Sequence, residues 1–452
     1  MEVTLTEMLE AREARVRRQE VLREQYGVPL ISFSLNIAGP VKDSPLLRRA
    51  FRAGLEQLDA GLRAWGLKVL HREEKRAVTG CEALYAADAP AEKVKALCVS
   101  IEDGSPLGRL FDMDVLSPGG VKLDRSSVGG GPRNCIVCGA AGPGCASRRL
   151  HPVPALQEAT GRIIGDHFAA ADRERAASLV TRALLDEVCV TPKPGLVDRR
   201  NSGSHRDMDI FTFTASAAAL TPYWSRCVEI GQRTAGRTPA ETFCALRQAG
   251  QAAERTMFAA TAGVNTHKGA IFTLGLLCGA VGRLWSAEDP CREPEVLLSE
   301  CAGLARAALE ADFAALGDGD VPRTAGERLY LSRGLTGIRG EAARGLPTVR
   351  DAALPALRRA LHTGRSRNNA GAIALLHLIA ATEDTNMIAR GGMEAAQAAR
   401  AACAAVLERD PLPPVEIIEQ LDRDFIRQNL SPGGCADLLA AAFFLLSWQE
   451  EV

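Results

Sequence analysis

The spacing of apolar residues along the chain changes character near residues 160–172. Before this point, short apolar runs lie among Gly, Pro and Ser residues, and after it long Ala-rich segments carry apolar residues at helical spacing. In the first part, residues 2–25 and 44–64 have helical spacing with charged outer faces. The run 94–101 predicts a buried strand, and the run 67–71 predicts a weaker one. This part is therefore expected to be α/β or α+β.

The second part predicts an all-α domain of about ten helices. Their predicted positions are 172–189, 208–231, 239–260, 269–285, 295–315, 349–362, 370–381, 392–408, 415–428 and 434–449. Thr238 and Pro239 are typical of an N-cap followed by the first residue of a helix. The segment 140–172 is the expected junction, which gives two domains, 1–170 and 171–452.

The composition is that of a globular protein, with 46% apolar and 24% charged residues. Lys and Arg number 54 and Asp and Glu 55, for a net charge of −1, so neither nucleic acid nor a membrane is expected as a partner. The apolar runs 269–282 and 370–381 are shorter than the roughly 18–20 residues that span a bilayer. The 13 cysteines are an odd number and mostly scattered, which predicts reduced thiols and a cytoplasmic location.

The candidate chemistry of the first domain lies in the segment EDGSPLGRLFDMDV. Gly104 and Ser105 form a turn whose backbone can approach a phosphate, and Arg109 can bind one. Asp112 and Asp114 are two residues apart, so on an extended segment both carboxylates face one side and offer Mg²⁺ hard oxygen ligands. This Gly-Ser and Asp-x-Asp arrangement resembles the nucleotidyltransferase superfamily. A solvated turn with two surface acids is the alternative.

Three cysteines and a histidine cluster near the end of the first domain. Cys135, Cys138, Cys145 and His151 are the ligand types of a structural Zn²⁺ site, although their spacing is not that of a standard zinc finger. Reduced thiols in a Gly-rich loop are the alternative. Neighbouring arginines make this loop basic, which suits an anionic ligand or an acidic carrier protein.

Polar, Gly-containing segments interrupt the second domain where apolar helices should meet. In the first of them, 191–209, prolines and glycines exclude a regular helix, and His205, Asp207 and Asp209 could bind a metal or transfer a proton. The candidates for binding substrate or phosphate in these segments are Lys193, Asn265, His267, Lys268, Arg339, Asp384, Arg390, Ser431, Gly433 and Gly434. Each alone is typical of capping and turn structure. Together they indicate a site for a large polyanionic substrate.

Residues 172–452 resemble triphosphoribosyl-dephospho-CoA synthases through the motifs PKPGLVD, GSHRDMD, GVNTHKGA, GIRGEA, DTN, RGG, SPGG and ADLL. Residues 1–170 resemble apo-citrate lyase phosphoribosyl-dephospho-CoA transferases through GRLFDMDV, RNCIVCG and the stretch from Cys145 to His151. The whole chain resembles a fusion of the two. Nucleotidyltransferases often carry a third acid on a later strand, and Asp124 is its candidate here.

The resemblance implies a two-step pathway. The second domain would join ATP to 3′-dephospho-CoA, giving 2′-(5″-triphosphoribosyl)-3′-dephospho-CoA and free adenine. The first domain would attach this product to a serine of the citrate lyase acyl carrier subunit, with loss of pyrophosphate. The alternatives are a hydrolase of ADP-ribose or nucleotides, a non-enzymatic scaffold for the carrier, and the same chemistry serving malonate decarboxylase.

This pathway suggests roles for the candidate residues. In the first step, Asp207 and Asp209 would hold Mg²⁺–triphosphate or act as the base. His205 is the alternative acid–base group and Glu341 a second candidate base. In the second step, Mg²⁺ on the two aspartates of the first domain would polarise the phosphate nearest the ribose, and Arg109 would neutralise the departing pyrophosphate.

Overall fold

The computed structural model describes residues 2–142, 144–314 and 333–450. The chain divides into two compact units. The first comprises Met1–Ala170 with Ala287–Asp289, and the second comprises Ala171–Ser286 with Pro290–Val452. The division falls inside a 37-residue helix, Val153–Cys189. In the part of the chain that the structure describes, no helix combines the length and apolar character needed to cross a membrane.

The first unit contains a four-stranded antiparallel sheet with helices, so it is α+β rather than a parallel α/β fold. The strand order is β2-β3-β1-β4, which places β4 at an edge. Its elements are α1 (Leu5–Tyr26), β1 (Leu30–Leu35), α2 (Pro45–Ala64), β2 (Lys68–Ala77), β3 (Gly80–Asp88), α3 (Ala91–Asp103), β4 (Phe111–Leu116), α4 (Gly144–Ser147) and α5 (Val153–Cys189), with 3₁₀ turns at Leu107–Leu110 and Arg125–Val128.

The predicted strand at 94–101 is wrong, because these residues lie in α3. Val94, Leu97 and Cys98 are all buried, and their i, i+3, i+4 spacing is that of one helix face. A short apolar run does not separate a buried strand from a buried helix by periodicity alone. The two helices predicted for this unit are confirmed as α1 and α2, and the weaker strand prediction overlaps the start of β2.

The second unit is all-α in the residues that the structure describes. Its elements after α5 are α6 (Ile210–Ala219), α7 (Thr221–Thr234), α8 (Pro239–Ala260), α9 (Lys268–Arg283), α10 (Pro294–Ala314), α11 (Gly337–Ala343), a π turn (Val349–Ala353), α12 (Leu354–His362), α13 (Arg367–Ala381), α14 (Thr385–Arg409), α15 (Val415–Arg427) and α16 (Gly433–Glu450). Helices α9, α13 and α16 are apolar on nearly all sides and lie in the core.

Three helix predictions in this unit need correction. The predicted helix 208–231 is two helices, because α6 ends at Ala219 and Pro222 lies in the first turn of α7. The predicted helix 392–408 begins earlier, at Thr385, and the backbone of Gly392 is non-helical inside α14. Helix α11 lies in a segment expected to be a polar loop. The last residue of the predicted helix 295–315 lies outside the described residues.

The predicted start of α8 is confirmed. The Thr238 hydroxyl accepts a hydrogen bond from the Glu241 amide, and the Glu241 carboxylate accepts one from the Thr238 amide at 3.0 Å. This reciprocal capping box, with Pro239 as the first helical residue, leaves few unpaired amides at the helix terminus.

Candidate functional site

A cavity of about 570 Å³ in the second unit gathers most of the polar residues predicted for that domain. Those that line it are Lys193, His205, Asp207, Asn265, His267, Lys268, Arg339, Glu341, Asp384, Arg390, Ser431, Gly433 and Gly434. The first residues of α9, α11, α14 and α16 also line it. Helix N-termini carry unpaired amides and a partial positive charge, and this favours anionic ligands.

Asp209 is the exception, since it does not line this cavity. It is the N-cap of α6, and its carboxylate accepts hydrogen bonds of 2.9 Å from both the amide and the hydroxyl of Thr212. These bonds lower the pKa of Asp209. The structure therefore gives Asp209 a helix-capping position outside this cavity, and its expected metal or base role stays a prediction.

Lys193 is paired inside the protein. Its Nζ lies 2.5 Å from Oε1 of Glu187, and both side chains are almost fully buried. Burial raises the pKa of Glu187, and the ammonium of Lys193 opposes this rise. The pair fixes a cation at the cavity wall. Sequence reasoning missed Glu187, although an acid within the apolar run LLDEVCV was a usable signal.

Two carboxylates hold the segment 191–209 in its non-helical path. Asp198 accepts hydrogen bonds from the amides of Arg200 at 2.7 Å and Asn201 at 3.0 Å. Asp422 accepts one from the amide of Gly195 at 3.0 Å. Gly195 has φ +69°, and a Cβ there would lie 2.2 Å from the carbonyl oxygen of Leu430, so only glycine fits this turn.

His205 and Arg390 come together from distant parts of the chain. His205 Nε2 lies 2.8 Å from the Ser431 hydroxyl. Arg390 donates to the carbonyl oxygen of Ser204 and, at 3.0 Å, to Oδ1 of Asn429. Burial and then the charge of Arg390 lower the pKa of His205, so its imidazole is neutral at pH 7.

His267 is a neutral hydrogen-bond donor at the cavity wall. Thr266 Oγ1 donates to Ser216 Oγ at 2.8 Å, and Ser216 Oγ lies 2.7 Å from His267 Nδ1. If the Ser216 hydroxyl donates to Nδ1, the ring proton is on Nε2. Burial lowers the pKa of His267 to about 3. Its Nε2 is buried without a protein partner among the described residues, which leaves this nitrogen for a ligand.

The carboxylates of two predicted site residues, Glu341 and Asp384, form hydrogen bonds within the protein. Glu341 Oε1 lies 3.1 Å from Arg344, and its Oε2 accepts the Thr348 hydroxyl at 2.9 Å. Asp384 caps α14 by accepting the Asn386 amide at 2.8 Å, and it accepts the Cys435 amide at 2.9 Å. Both acids therefore anchor the ends of helices at the cavity, and the role of Glu341 as a base stays a prediction.

Asp437 is a cavity residue that sequence reasoning did not single out. It lies one helical turn after Gly433, within the ADLL motif of α16. Burial, and then the charges of Glu187 and Asp384, raise the pKa of Asp437 well above its usual range. A Cβ on Gly269 would lie 1.9 Å from Asp437 Oδ2, so the glycine makes room for this carboxyl group.

The cavity wall carries more acids than bases. Its four basic residues are Lys193, Lys268, Arg339 and Arg390. Its seven acidic residues are Glu187, Asp207, Glu254, Glu341, Glu383, Asp384 and Asp437. Burial raises the pKa values of Glu187, Asp384 and Asp437, and repulsion from the charges of Glu187 and Asp384 adds to the rise for Asp437. A divalent cation would relieve this repulsion, and carboxylates are suitable ligands for Mg²⁺.

In the first unit, Asp112 and Asp114 lie on β4 and share one face of the sheet. They are opposite Ser34 and Ser32 of β1, and together they line a cavity of about 480 Å³. Burial, and then the neighbouring Asp114, raise the pKa of Asp112. Lys122 Nζ lies 2.7 Å from Asp114 Oδ2. The pair of carboxylates is chemically suited to Mg²⁺.

Side chains form hydrogen bonds with the backbone groups on the outer edge of β4. Glu102 Oε1 accepts the Met113 amide at 2.9 Å, and Lys95 Nζ donates to the Met113 carbonyl at 3.1 Å. Arg133 lies 2.7 Å from Glu102 Oε1 and donates to the carbonyl oxygen of Phe111 at 2.7 Å. An edge strand otherwise leaves these groups unpaired. The network therefore fixes the strand that carries the two aspartates.

The Gly-Ser turn and Arg109 do not line the aspartate cavity. Gly104 ends α3, and the Ser105 hydroxyl accepts a hydrogen bond of 3.2 Å from the Gly108 amide. Arg109 donates to the carbonyl oxygen of Asn134, and burial followed by the nearby Arg133 lowers its pKa. The structure thus separates these three predicted phosphate ligands from the aspartates. Asp124, before the second 3₁₀ turn, is also outside this cavity.

The predicted cysteine–histidine cluster is assembled in the structure. The ligand atoms of Cys135, Cys138, Cys145 and His151 all lie within 4.8 Å of one another. Cys138 Sγ is 3.6 Å from Cys145 Sγ and 3.3 Å from His151 Nε2. Tetrahedral zinc with sulfur ligands at about 2.3 Å has a sulfur–sulfur edge of about 3.8 Å. The spacing therefore fits a zinc ion and is too long for a disulfide.

Comparison with known proteins assigns a family to each unit. The model of the ATP:dephospho-CoA triphosphoribosyl transferases (CitG) matches residues 173–451, and that of the apo-citrate lyase phosphoribosyl-dephospho-CoA transferases (CitX) matches residues 3–167. Protein CitXG of Haemophilus influenzae is 34% identical over 459 residues, which cover 99% of this chain and 97% of that protein. The chain belongs to the CitXG family. It is a bifunctional transferase, and the family resemblance found in the sequence is confirmed.

Other relatives support each half of this assignment. The CitXG protein of Leuconostoc mesenteroides subsp. cremoris is 30% identical over 98% of this chain and 97% of that protein. The 2-(5″-triphosphoribosyl)-3′-dephosphocoenzyme-A synthase of Klebsiella pneumoniae is 40% identical over 275 residues, or 60% of this chain and 90% of that protein. The CitXG family thus unites a synthase and a transferase in one chain.

Proposed function

We propose that the domain 171–452 makes 2′-(5″-triphosphoribosyl)-3′-dephospho-CoA from ATP and 3′-dephospho-CoA. The domain 1–170 then transfers this group to a serine of the citrate lyase acyl carrier subunit. The observation that carries the proposal is the gathering of four basic side chains, seven acids and four helix N-termini around one cavity of the second unit. Such a wall suits a metal-bound polyphosphate.

In the first reaction, the 2′-hydroxyl oxygen of dephospho-CoA attacks C1″ of the ATP ribose. The bond from C1″ to N9 of adenine breaks, the hydroxyl proton goes to a base, and adenine leaves with a proton. Asp207, exposed at the cavity wall, is the proposed base or metal ligand. Asp437, with its raised pKa, is the proposed proton donor to adenine. The neighbouring carboxylates stabilise the positive charge that develops on the ribose.

Phosphate binding in this cavity is assigned to its basic groups. Lys193 and Arg390 are fixed by contacts within the protein, and Lys268 Nζ lies 3.0 Å from Glu254. The His267 N–H supplies a neutral donor among them. Mg²⁺ at the cavity acids, with Asp207 as the proposed ligand, would neutralise part of the triphosphate charge.

In the second reaction, the serine oxygen of the carrier attacks the phosphate nearest the ribose. A phosphorus–oxygen bond to that phosphate forms, the bond to pyrophosphate breaks, and the serine proton passes to solvent water. Asp112 and Asp114 would hold Mg²⁺, which would polarise this phosphate. Citrate lyase is the proposed source of the carrier because the first unit matches the apo-citrate lyase transferases. The alternative is a malonate decarboxylase carrier, and labelling of each purified carrier distinguishes the two.

The proposed location is the cytoplasm. None of the 13 cysteines, all of which the structure describes, forms a disulfide, and a reducing compartment maintains that state.

The cysteine–histidine cluster is proposed to hold a structural zinc ion. The purified protein is expected to contain about one zinc ion per chain, because a site with four protein ligands and no open position binds zinc tightly. Cys135→Ser should lose this zinc and lower the melting temperature, measured by elemental analysis and circular dichroism. Cys244→Ser removes an exposed cysteine of α8 and is the matched control. Absence of zinc from the unaltered protein would exclude the site.

Chromatography of a reaction containing the protein, ATP, 3′-dephospho-CoA and Mg²⁺ tests the first reaction. Free adenine should form only when dephospho-CoA is present. Ribose products that form without dephospho-CoA would instead indicate a nucleotide hydrolase. Addition of the apo carrier should then increase the carrier mass by one phosphoribosyl-dephospho-CoA group. Tight carrier binding without turnover would indicate a scaffold.

A further inference from the structure

The helix–sheet interface of the first unit changes from apolar to polar along α1. At one end, Leu22 and Tyr26 pack with Leu30, Leu84 and Ala86 of the sheet. At the other end, the same stripe of the helix presents Met8, Arg12, Arg15 and Gln19 to the aspartate cavity. These positions recur at i, i+4, i+7, i+11, i+14 and i+18, so they form one helix face. Packing alone favours apolar residues along such a face.

The basic residues of this cavity differ in whether they have acidic partners. Arg15 lies 2.7 Å from Glu82, and Lys122 lies 2.7 Å from Asp114. Arg12 and Lys42 have no carboxylate partner among the described residues. Burial, and then the charge of Arg12, lower the pKa of Lys42, whose Nζ donates to the carbonyl oxygen of Ile37.

Two bases of the cavity are therefore left without an acidic partner in the described part of the chain. After the two ion pairs are set aside, Asp112 is the remaining acid, and Arg12 and Lys42 are the remaining bases. Arg15 adds a buried Nε that lacks a hydrogen-bond partner among the described residues. A metal-bound polyphosphate has the complementary pattern, since its metal needs carboxylates and its outer phosphates need cations.

We infer that Arg12, Arg15 and Lys42 bind the outer phosphates of the triphosphoribosyl substrate in the first unit and stabilise the departing pyrophosphate. This inference rests on the proposed transfer reaction. These three residues take the pyrophosphate-binding role expected of Arg109, which the structure places outside the cavity. As the bond between the phosphate nearest the ribose and the next phosphate breaks, negative charge accumulates on the pyrophosphate oxygens. Cations in the same cavity neutralise that charge.

The test uses the full chain, preformed 2′-(5″-triphosphoribosyl)-3′-dephospho-CoA and the apo carrier. Arg12→Gln and Lys42→Gln should each lower kcat/KM for the triphosphoribosyl substrate by about tenfold or more, because each removes a charge-assisted hydrogen bond. Both should also raise the inhibition constant of added pyrophosphate. Arg17→Gln, on the same helix but paired with Glu13 outside the cavity, should change neither quantity. Adenine release by the second unit provides an internal measure of active enzyme.

Unchanged kcat/KM and pyrophosphate inhibition in both variants would overturn the inference. A higher KM for the carrier, with unchanged pyrophosphate inhibition, would also overturn it and would indicate that these cations bind an acidic face of the carrier. Failure of the unaltered protein to label any carrier would instead refute the proposed transfer reaction. Circular dichroism melting curves for the variants identify a loss that arises from unfolding.

Discussion

Replacement of Asp112 by asparagine is expected to abolish carrier labelling and leave adenine release unchanged. Asp112 is one of two carboxylates that face the cavity of the first unit, and asparagine keeps its shape while removing its charge. Loss of a metal ligand removes several kcal/mol of transition-state stabilisation, which corresponds to roughly a thousandfold in rate. Labelling is measured as the mass shift of the carrier, with preformed triphosphoribosyl substrate supplied.

The same variant should be at least as stable as the unaltered protein. Burial raises the folded-state pKa of Asp112 above its unfolded value, so the ionised group destabilises the fold at pH values above that range. A neutral asparagine removes this penalty. Retained melting temperature with lost labelling therefore distinguishes a metal ligand from a structural residue.

Asp88→Asn is the matched control for Asp112→Asn. Asp88 is an exposed acid at the end of β3, outside the cavity, so its replacement should leave labelling unchanged. Asp114→Asn should lose labelling too, and it also leaves Lys122 without its acidic partner. Carrier labelling at the normal rate by Asp112→Asn would refute the metal role. Loss of both activities would show that the two units do not function independently.

The sequence predicts the helices well because their signals are local. The capping box at Thr238 and the charged faces of α1 and α2 arise from residues a few positions apart. The strand prediction for residues 94–101 is wrong because buried strands and buried helices share apolar composition over eight residues. The polar segments of the second domain were also recognisable, since polar residues and glycines interrupt otherwise apolar helices.

The sequence could not show which side chains of those segments meet. Arg109 lies three residues before Asp112, yet it belongs to the 3₁₀ turn that precedes β4 and contacts Asn134 outside the aspartate cavity. Arg12 and Lys42 reach the aspartate cavity through helix–sheet packing and a loop after β1, which no local spacing encodes. Similarly, Glu187 and Asp437 come from core helices whose facing sides depend on tertiary packing.

Replacement of Asp207 by asparagine is expected to lower the rate of adenine release by roughly 10²–10⁴-fold, the usual contribution of a general base. Asp207 lines the cavity beside His205 and is the proposed base or metal ligand. Its side chain is exposed, so the substitution should leave the melting temperature unchanged. The measurement is adenine by chromatography, and carrier labelling with preformed substrate should remain normal.

Asp209→Asn is the sharpest control for this prediction, because the two aspartates share one motif and are two residues apart. Asp209 caps α6 through Thr212 and lies outside the cavity. Asparagine caps helices about as well as aspartate, so this variant should keep both its stability and its adenine release. Equal losses in the two variants would mean that the whole segment, rather than Asp207, determines activity. A folded Asp207→Asn enzyme with the normal rate would remove Asp207 from the reaction and leave Asp437 and His205 as the candidates for proton transfer.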